Sequence, residues 1–318
     1  MGGGRVGLAV FLGAVVLLCA LPWVVDKFYV QLVTKILVLA ILAMSLDLVL
    51  GYTGLVSFGH AAFYGLAGYL LALTTPQYEA ANLWTSLPLS IAGAGVLAAA
   101  IGALVLRTSG VYFIMASLAF AQMVYYVFHD TELAGGSDGI YIYVRPAAAI
   151  AGWKPFDLEN FAHLYYLVLG FFLGVFLLLR AVLGSLFGRV LAGIRVNEHR
   201  MRSLGYATFR YKLAAFVLSG MVAGLAGWLG AVQFGVVNPD FLGWHLSGSV
   251  MMMVILGGMG TLVGPAFGAF AMMLLEVWFQ ELTKHWQLLL GAFIVGVALF
   301  LPNGLAGLAA RLLREDVR

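Results

Sequence analysis

Apolar runs of about 20 residues recur along this chain, and that length constrains the fold more than any other feature. Each run can cross a bilayer as a helix, whereas a β-barrel would show short alternating segments. Lipid offers no hydrogen-bond partners, so a spanning segment must satisfy its own backbone, as a helix does. Of the 318 residues 63% are hydrophobic and only 10% charged; soluble domains carry about a quarter charged. The expected class is an all-α integral membrane protein. The single cysteine, Cys19, lies in an apolar run and excludes an intrachain disulfide. The chain has no G-x-x-x-x-G-K phosphate loop, no H-E-x-x-H and no Cys/His metal cluster. Its histidines, 60, 129, 163, 199, 245 and 285, are scattered over different segments, and interfacial or packing roles are expected for them. The net charge of +3 reports orientation rather than nucleic-acid binding.

In chain order, span one is about 6–25, behind Arg5, and span two about 31–50. The stretch 51–69, G-Y-T-G-L-V-S-F-G-H-A-A-F-Y-G-L-A-G-Y, mixes glycine with aromatic residues and continues apolar to Leu73. Such glycine-rich stretches mark close helix packing or broken helices shielded from lipid. Spans follow at about 87–106, ending at Arg107, and at 111–128. The loop 129–160 sets five acids against Arg145 and Lys154, net −3, and suits the outer, periplasmic face. A span at 161–183 leads into a basic island, and further spans lie at about 213–232 and 286–301. Gly220 and Gly224 in the first of these have the spacing of tight helix packing.

The island 180–212 holds seven of the seventeen Lys and Arg residues. Short basic loops stay in the cytoplasm. Asn197 is placed to cap a helix beginning at Glu198, and Gly205 to end it in the left-handed conformation. A helix of about two turns is unstable alone in water, so it needs a surface to dock on. The expectation is contact with a separate protein that supplies energy.

Parity governs the remainder. With Arg5 inside, the spans through 213–232 end outside, and the arginines at 311, 314 and 318 belong inside only if 249–278 crosses twice or re-enters. Two short or broken helices are therefore expected around 257–265, giving a polytopic bundle of about ten membrane segments with both termini cytoplasmic. A cleaved signal peptide is the alternative for span one, which the parity weakens. Gly54, Gly59, Gly257, Gly258, Gly260 and Gly264 are the expected break glycines. The stretches 54–65 and 260–268 share a glycine–aromatic order that hints at an internal repeat. Polar residues inside spans are candidates for a translocation path: Asp47 and Glu276 first, then Ser57, His60, Gln122 and Gln233. Both acids also admit a plain position at a helix end. Half-helix N-termini are a further expected binder for a solute carboxylate.

The blocks L-G-Y-T-G-L-V-S-F-G-H-A-A-F-Y-G, G-V-Y-F-I-M-A-S-L-A-F-A-Q-M-V, G-G-S-D-G-I, I-R-V-N-E-H-R-M-R-S-L-G-Y-A-T-F-R-Y-K and V-I-L-G-G-M-G-T-L-V-G-P-A-F-G-A, in this order across about 36–276, resemble the LivM-type permeases of branched-chain amino-acid ABC importers. The resemblance implies a single transmembrane permease domain over 1–318 in the bacterial inner membrane. Its cytoplasmic loop, 184–212, would couple to an ATPase through Arg195, Asn197, Glu198, Arg202 and Gly205. It implies a second homologous permease, two cytoplasmic ATP-binding subunits and an external substrate-binding protein as partners, besides membrane lipid and without nucleic acid. ATP would be bound by the partners and no cofactor by this chain, which would not itself be an enzyme. Leucine, isoleucine and valine are the implied solutes; urea, short amides or other amino acids are alternatives within the family. His199 and Ser203 depart from the aliphatic and the small or acidic residue expected there, which bears on partner choice. Outside the family, the alternative is an ion-coupled secondary transporter in which Asp47 and Glu276 carry the ion.

Overall fold

The computed structural model describes residues 3–75, 80–147, 158–301 and 304–307. The elements are α1 (Gly3–Val24), α2 (Lys27–Thr53), α3 (His60–Thr74), α4 (Leu83–Val105), α5 (Val111–His129), β1 (Ile140–Tyr141), α6 (Phe161–Gly184), α7 (Leu186–Val196), α8 (Glu198–Ser203), α9 (Thr208–Phe234), β2 (Val236–Val237), α10 (Trp244–Gly257), α11 (Gly264–Leu282) and α12 (Trp286–Phe300). Among the described residues, five helices (α2, α4, α5, α6 and α9) are long and apolar enough to cross a membrane. Among the described residues the structure is all-α apart from β1 and β2, which pair antiparallel with Ile140 opposite Val237. That short ladder ties the acidic loop to the end of α9.

The centre of the bundle is α2 against α9, each 27 residues long and buried over most of its length. The hydrophobic effect does not drive helices together in lipid, where close packing of small residues does. On α9, Gly220 and Gly224 face Ala98 and Ala94 of α4, and Gly227 and Gly230 face Tyr64 of α3. A Cβ at Gly227 would overlap the Tyr64 carbonyl. The glycine spacing thus seats α9 between α3 and α4. Trp228, fully buried on the same helix, donates to the Ser86 hydroxyl at 3.2 Å.

The two helix breaks read from the sequence are present. α2 stops at Thr53, Gly54 takes φ +76°, and α3 begins at His60. α10 stops at Gly257, Gly258 and Gly260 take φ +114° and +75°, and α11 begins at Gly264 with Pro265 in its first turn. Proline has no N–H to lose there. The boundaries differ from those read from hydropathy. α2 starts at Lys27 rather than 31 and runs three residues past 50. α4 starts at Leu83, capped by the Asn82 side chain, rather than at 87. The basic island is not all loop: its first part is the eleven-residue α7, capped by Ser185 and burying Val190, Leu191 and Ile194. Basic residues hid its apolar stripe in the hydropathy reading. Pro302, Asn303 and the basic tail lie outside the described residues.

Candidate functional site: a basic helical island joined to two helix breaks

The island folds as expected from its caps. The Asn197 side chain accepts from the Arg200 N–H at 2.9 Å, and Gly205 takes φ +88° just past the end of α8. Tyr206 N–H closes the turn on the Met201 carbonyl. A six-residue helix needs tertiary support, and the chain supplies it. Glu198 reaches the start of α9, accepting from Thr208 Oγ1 at 2.9 Å and from Lys212 Nζ at 2.9–3.0 Å, as well as from Arg202 at 2.7 Å. The Lys212 side chain is 6% exposed. Partial burial pushes the Glu198 carboxyl up, but hydrogen bonds from Lys212, Arg202 and Thr208 together hold it below the usual carboxylate value. The docking surface that the sequence reading sought in another protein is therefore partly α9 itself. Around α8 a mixed surface stays outward: Val196, 87% exposed, at the end of α7, Leu204 and Tyr206 just past α8, and His199 and Arg200 on α8 itself.

Arg195, at the end of α7, points the other way. Its guanidinium donates to the Gly51 carbonyl in the last turns of α2. One turn earlier on α2, the buried Asp47 accepts the Gly260 N–H at 2.8 Å; its second oxygen carries no hydrogen bond. Island and both breaks thus meet at one junction: Arg195 to Gly51, and Asp47 to Gly260. Asp47 was expected in a path or at a helix end. The structure places it at the end of α2 as the clasp of this junction, with glycine at 51 because a Cβ there would overlap Asp47 and Gly260. Each break carries a left-handed glycine, Gly54 and Gly260, and each lies against Arg195.

Three amides at the buried start of α3 already have side-chain partners. Phe58 N–H donates to Ser117 Oγ of α5, Gly59 N–H to Ser57 Oγ, and Ala61 N–H to Ser247 Oγ of α10. These three amides are occupied by side-chain oxygens. His60 is fully buried between Ser57 at 3.2 Å and Ser219 at 2.7 Å. Ser219 in turn donates to the Ser45 carbonyl of α2. His60 thereby ties α3 to α9, and Ser57 bonds Gly59 and His60 at the start of α3. Ser117, Ser219 and Ser247 escaped sequence reading because single serines in apolar runs carry no signal of their partners.

The other candidates lie apart. Gln122 is half-buried on α5, whose buried stripe is only Phe113, Ser117 and Ala121. Gln233, at the end of α9, donates to the Gln31 carbonyl at 2.9 Å. Glu276 on α11 accepts from Gln280 at 3.2 Å. Gln31 and Gln233 mark one end of the α2/α9 pair, and Gly51 and Arg195 the other. No group of three or more metal-ligating side chains occurs among the described residues.

Comparison with known proteins adds an independent line. Residues 28–299 match the family described as branched-chain amino acid transport system / permease component. The chain is 31% identical over 95% of its length, and 76% of the relative's, to the high-affinity branched-chain amino acid transport system permease protein LivM of Escherichia coli K12. It is 24% identical to a probable LivM of Methanocaldococcus jannaschii, over 74% of this chain and 77% of that one. It is also 22% identical to LivH of Escherichia coli K12, over 84% of this chain and 91% of that one. No solved structure matches.

Proposed function

Since this chain belongs to the family of permease components of branched-chain amino-acid transport systems, we propose that it is one membrane-spanning half of an ATP-binding-cassette importer for leucine, isoleucine and valine. The observation that carries the mechanism is the junction of Arg195 with both helix breaks. A partner ATPase grips the outward surface around α8, including the flanking Val196, Leu204 and Tyr206. Glu198 makes α8 and the start of α9 move as one body. Arg195 passes the same displacement to Gly51, and through Asp47 to the 258–263 turn. Breaks rather than continuous helices are the places where such a displacement is absorbed at low cost, because their glycines tolerate backbone change. ATP bound by the partner thereby changes which side of the membrane the path opens to.

The topology follows from this reading. We assign ten membrane segments, α1–α6 and α9–α12, with α7 and α8 in the cytoplasm and both termini on that side. The sister permease covers α5, whose outward face carries Tyr112, Met115, Met123 and Tyr126. A substrate-binding protein delivers solute at the end carrying Gln31 and Gln233. An ion-driven carrier would instead need Asp47 free to exchange an ion, and its bond to Gly260 favours the structural role.

The test is reconstitution of the permease pair with its ATPases and binding protein in proteoliposomes. Wild type takes up leucine only with ATP and co-purifies with the ATPase. Glu198→Arg with Gly205→Pro loses both while the permease pair stays intact. A well-folded wild type that retains no ATPase, or uptake that persists without ATP, overturns the reading.

A further inference from the structure

Lys35 and Glu276 face one cavity and do not pair across it. The cavity has a volume of about 360 Å3 and lies between α2, α3, α10 and α11, within the range of about 300–1,000 Å3 typical of small-molecule sites. The rest of its lining is mainly apolar and includes Tyr64, Leu246, Met253 and Met273, with Ser249 as a polar member. Among the described residues Lys35 forms no ion pair or hydrogen bond, and Glu276 bonds only Gln280. Opposite charges beside apolar surface attract strongly when they can meet, and either one alone is costly there. A pair held apart with space between is complementary to a molecule that carries both opposite charges itself.

We propose that this cavity is a solute site for a zwitterionic α-amino acid with an aliphatic side chain. This rests on the importer reading and deepens it. Lys35 takes the carboxylate, Glu276 takes the ammonium, and the alkyl group lies among the methionines, whose flexible thioethers accommodate several branched shapes. Asp47 is not the ammonium ligand, because it is committed to Gly260 at the other end of α2. A second cavity of about 420 Å3 shares Lys35 and Phe234 and adds Arg145, Gln31 and Gln233. It lies on the side where Gln233 joins Gln31; Arg145 there is already bonded to the carbonyls of Leu158, Glu159 and Gln233, so the carboxylate is assigned to Lys35.

The experiment uses the whole reconstituted complex with Cys19→Ser and Ser249→Cys in this chain. The labelling rate of the new thiol by a cationic methanethiosulfonate is followed with L-leucine, with L-leucinol, which lacks the carboxylate, and with 4-methylpentanoate, which lacks the ammonium. L-Leucine at ~10 times its Kd slows labelling roughly tenfold by mass action. The two single-charge analogues leave the rate unchanged, and adding Lys35→Met or Glu276→Gln abolishes the protection by leucine. Unchanged labelling with leucine, or equal protection by all three compounds, refutes the site if the wild-type complex imports leucine with ATP. If the wild-type complex shows no ATP-dependent uptake, the importer reading falls and the site with it.

Discussion

Removing the Glu198 carboxylate is the sharpest perturbation of the coupling element, because its three partners differ greatly in worth. Arg202 is 58% exposed at its side chain and sits one helical turn away; an exposed pair of this spacing contributes about 0.3–0.5 kcal/mol. The Thr208 hydroxyl donates to a charged acceptor, which is worth about 1.5–3 kcal/mol. Lys212 dominates. Its side chain is 6% exposed and Glu198 is its partner, and leaving such a charge unpaired costs about 3–5 kcal/mol. Glu198 itself is 29% exposed, so solvent relieves part of this and about 3 kcal/mol is the working figure for Glu198→Ala. The loss falls on α8 locally rather than on the bundle, since α8 buries no residue fully. Millisecond hydrogen exchange of the complex in nanodiscs reads it directly: the amides of Leu204 and Tyr206, bonded to Arg200 and Met201, exchange about a hundredfold faster. Arg202→Met changes them less than about threefold. Adding Lys212→Met to Glu198→Ala restores most of the protection, because the stranded charge is gone. The reasoning fails if Glu198→Ala matches Arg202→Met, or if the double variant is as unprotected as the single one.

Further outcomes are open to measurement. The Glu198 carboxyl is held below its ordinary 4.5, so its contribution is fully present above that value and is lost as pH falls through the lower folded-state pKa. Retention of α8 protection is therefore level from neutral pH down to about 5 and drops only below about 4.5. On α9, Gly227→Ala drives a methyl into the Tyr64 backbone and abolishes a monodisperse peak in detergent gel filtration. Gly170→Ala and Gly174→Ala, with open space at both positions, leave that peak unchanged. Ser247→Ala strips the Ala61 N–H of its acceptor and lowers the apparent melting temperature in detergent, by an amount corresponding to about 1–3 kcal/mol. Asp47→Asn keeps an acceptor for the Gly260 N–H, whereas Asp47→Ala does not. Leucine transported per ATP falls further in the alanine variant, and equal ratios would remove Asp47 from the coupling path.

Much of the site was legible because its signals are local. Asn197, Glu198 and Gly205 sit within one short stretch, and capping acts over three or four residues. The break at 257–265 was legible from glycine and proline. The partners that make these features work were not. Lys212 lies 14 residues from Glu198, and Ser247 lies 186 from Ala61. No pattern in either neighbourhood foretells the meeting. α7 was missed because its basic residues lower mean hydropathy while one face stays apolar.

The amino-acid sequence by itself determined the helical membrane class, the breaks and the basic helical island. Those follow from solvation of the backbone in lipid, from the conformations open to glycine and proline, and from local capping at Asn197 and Gly205. The tertiary structure alone decided that Arg195 and Asp47 join the island to both breaks, that α3's amides are already bonded, and that Lys35 and Glu276 share a cavity without pairing. Each of these is a matter of which side chains meet across helices. That depends on helix rotation and on close packing at glycines, which single-chain periodicity does not encode.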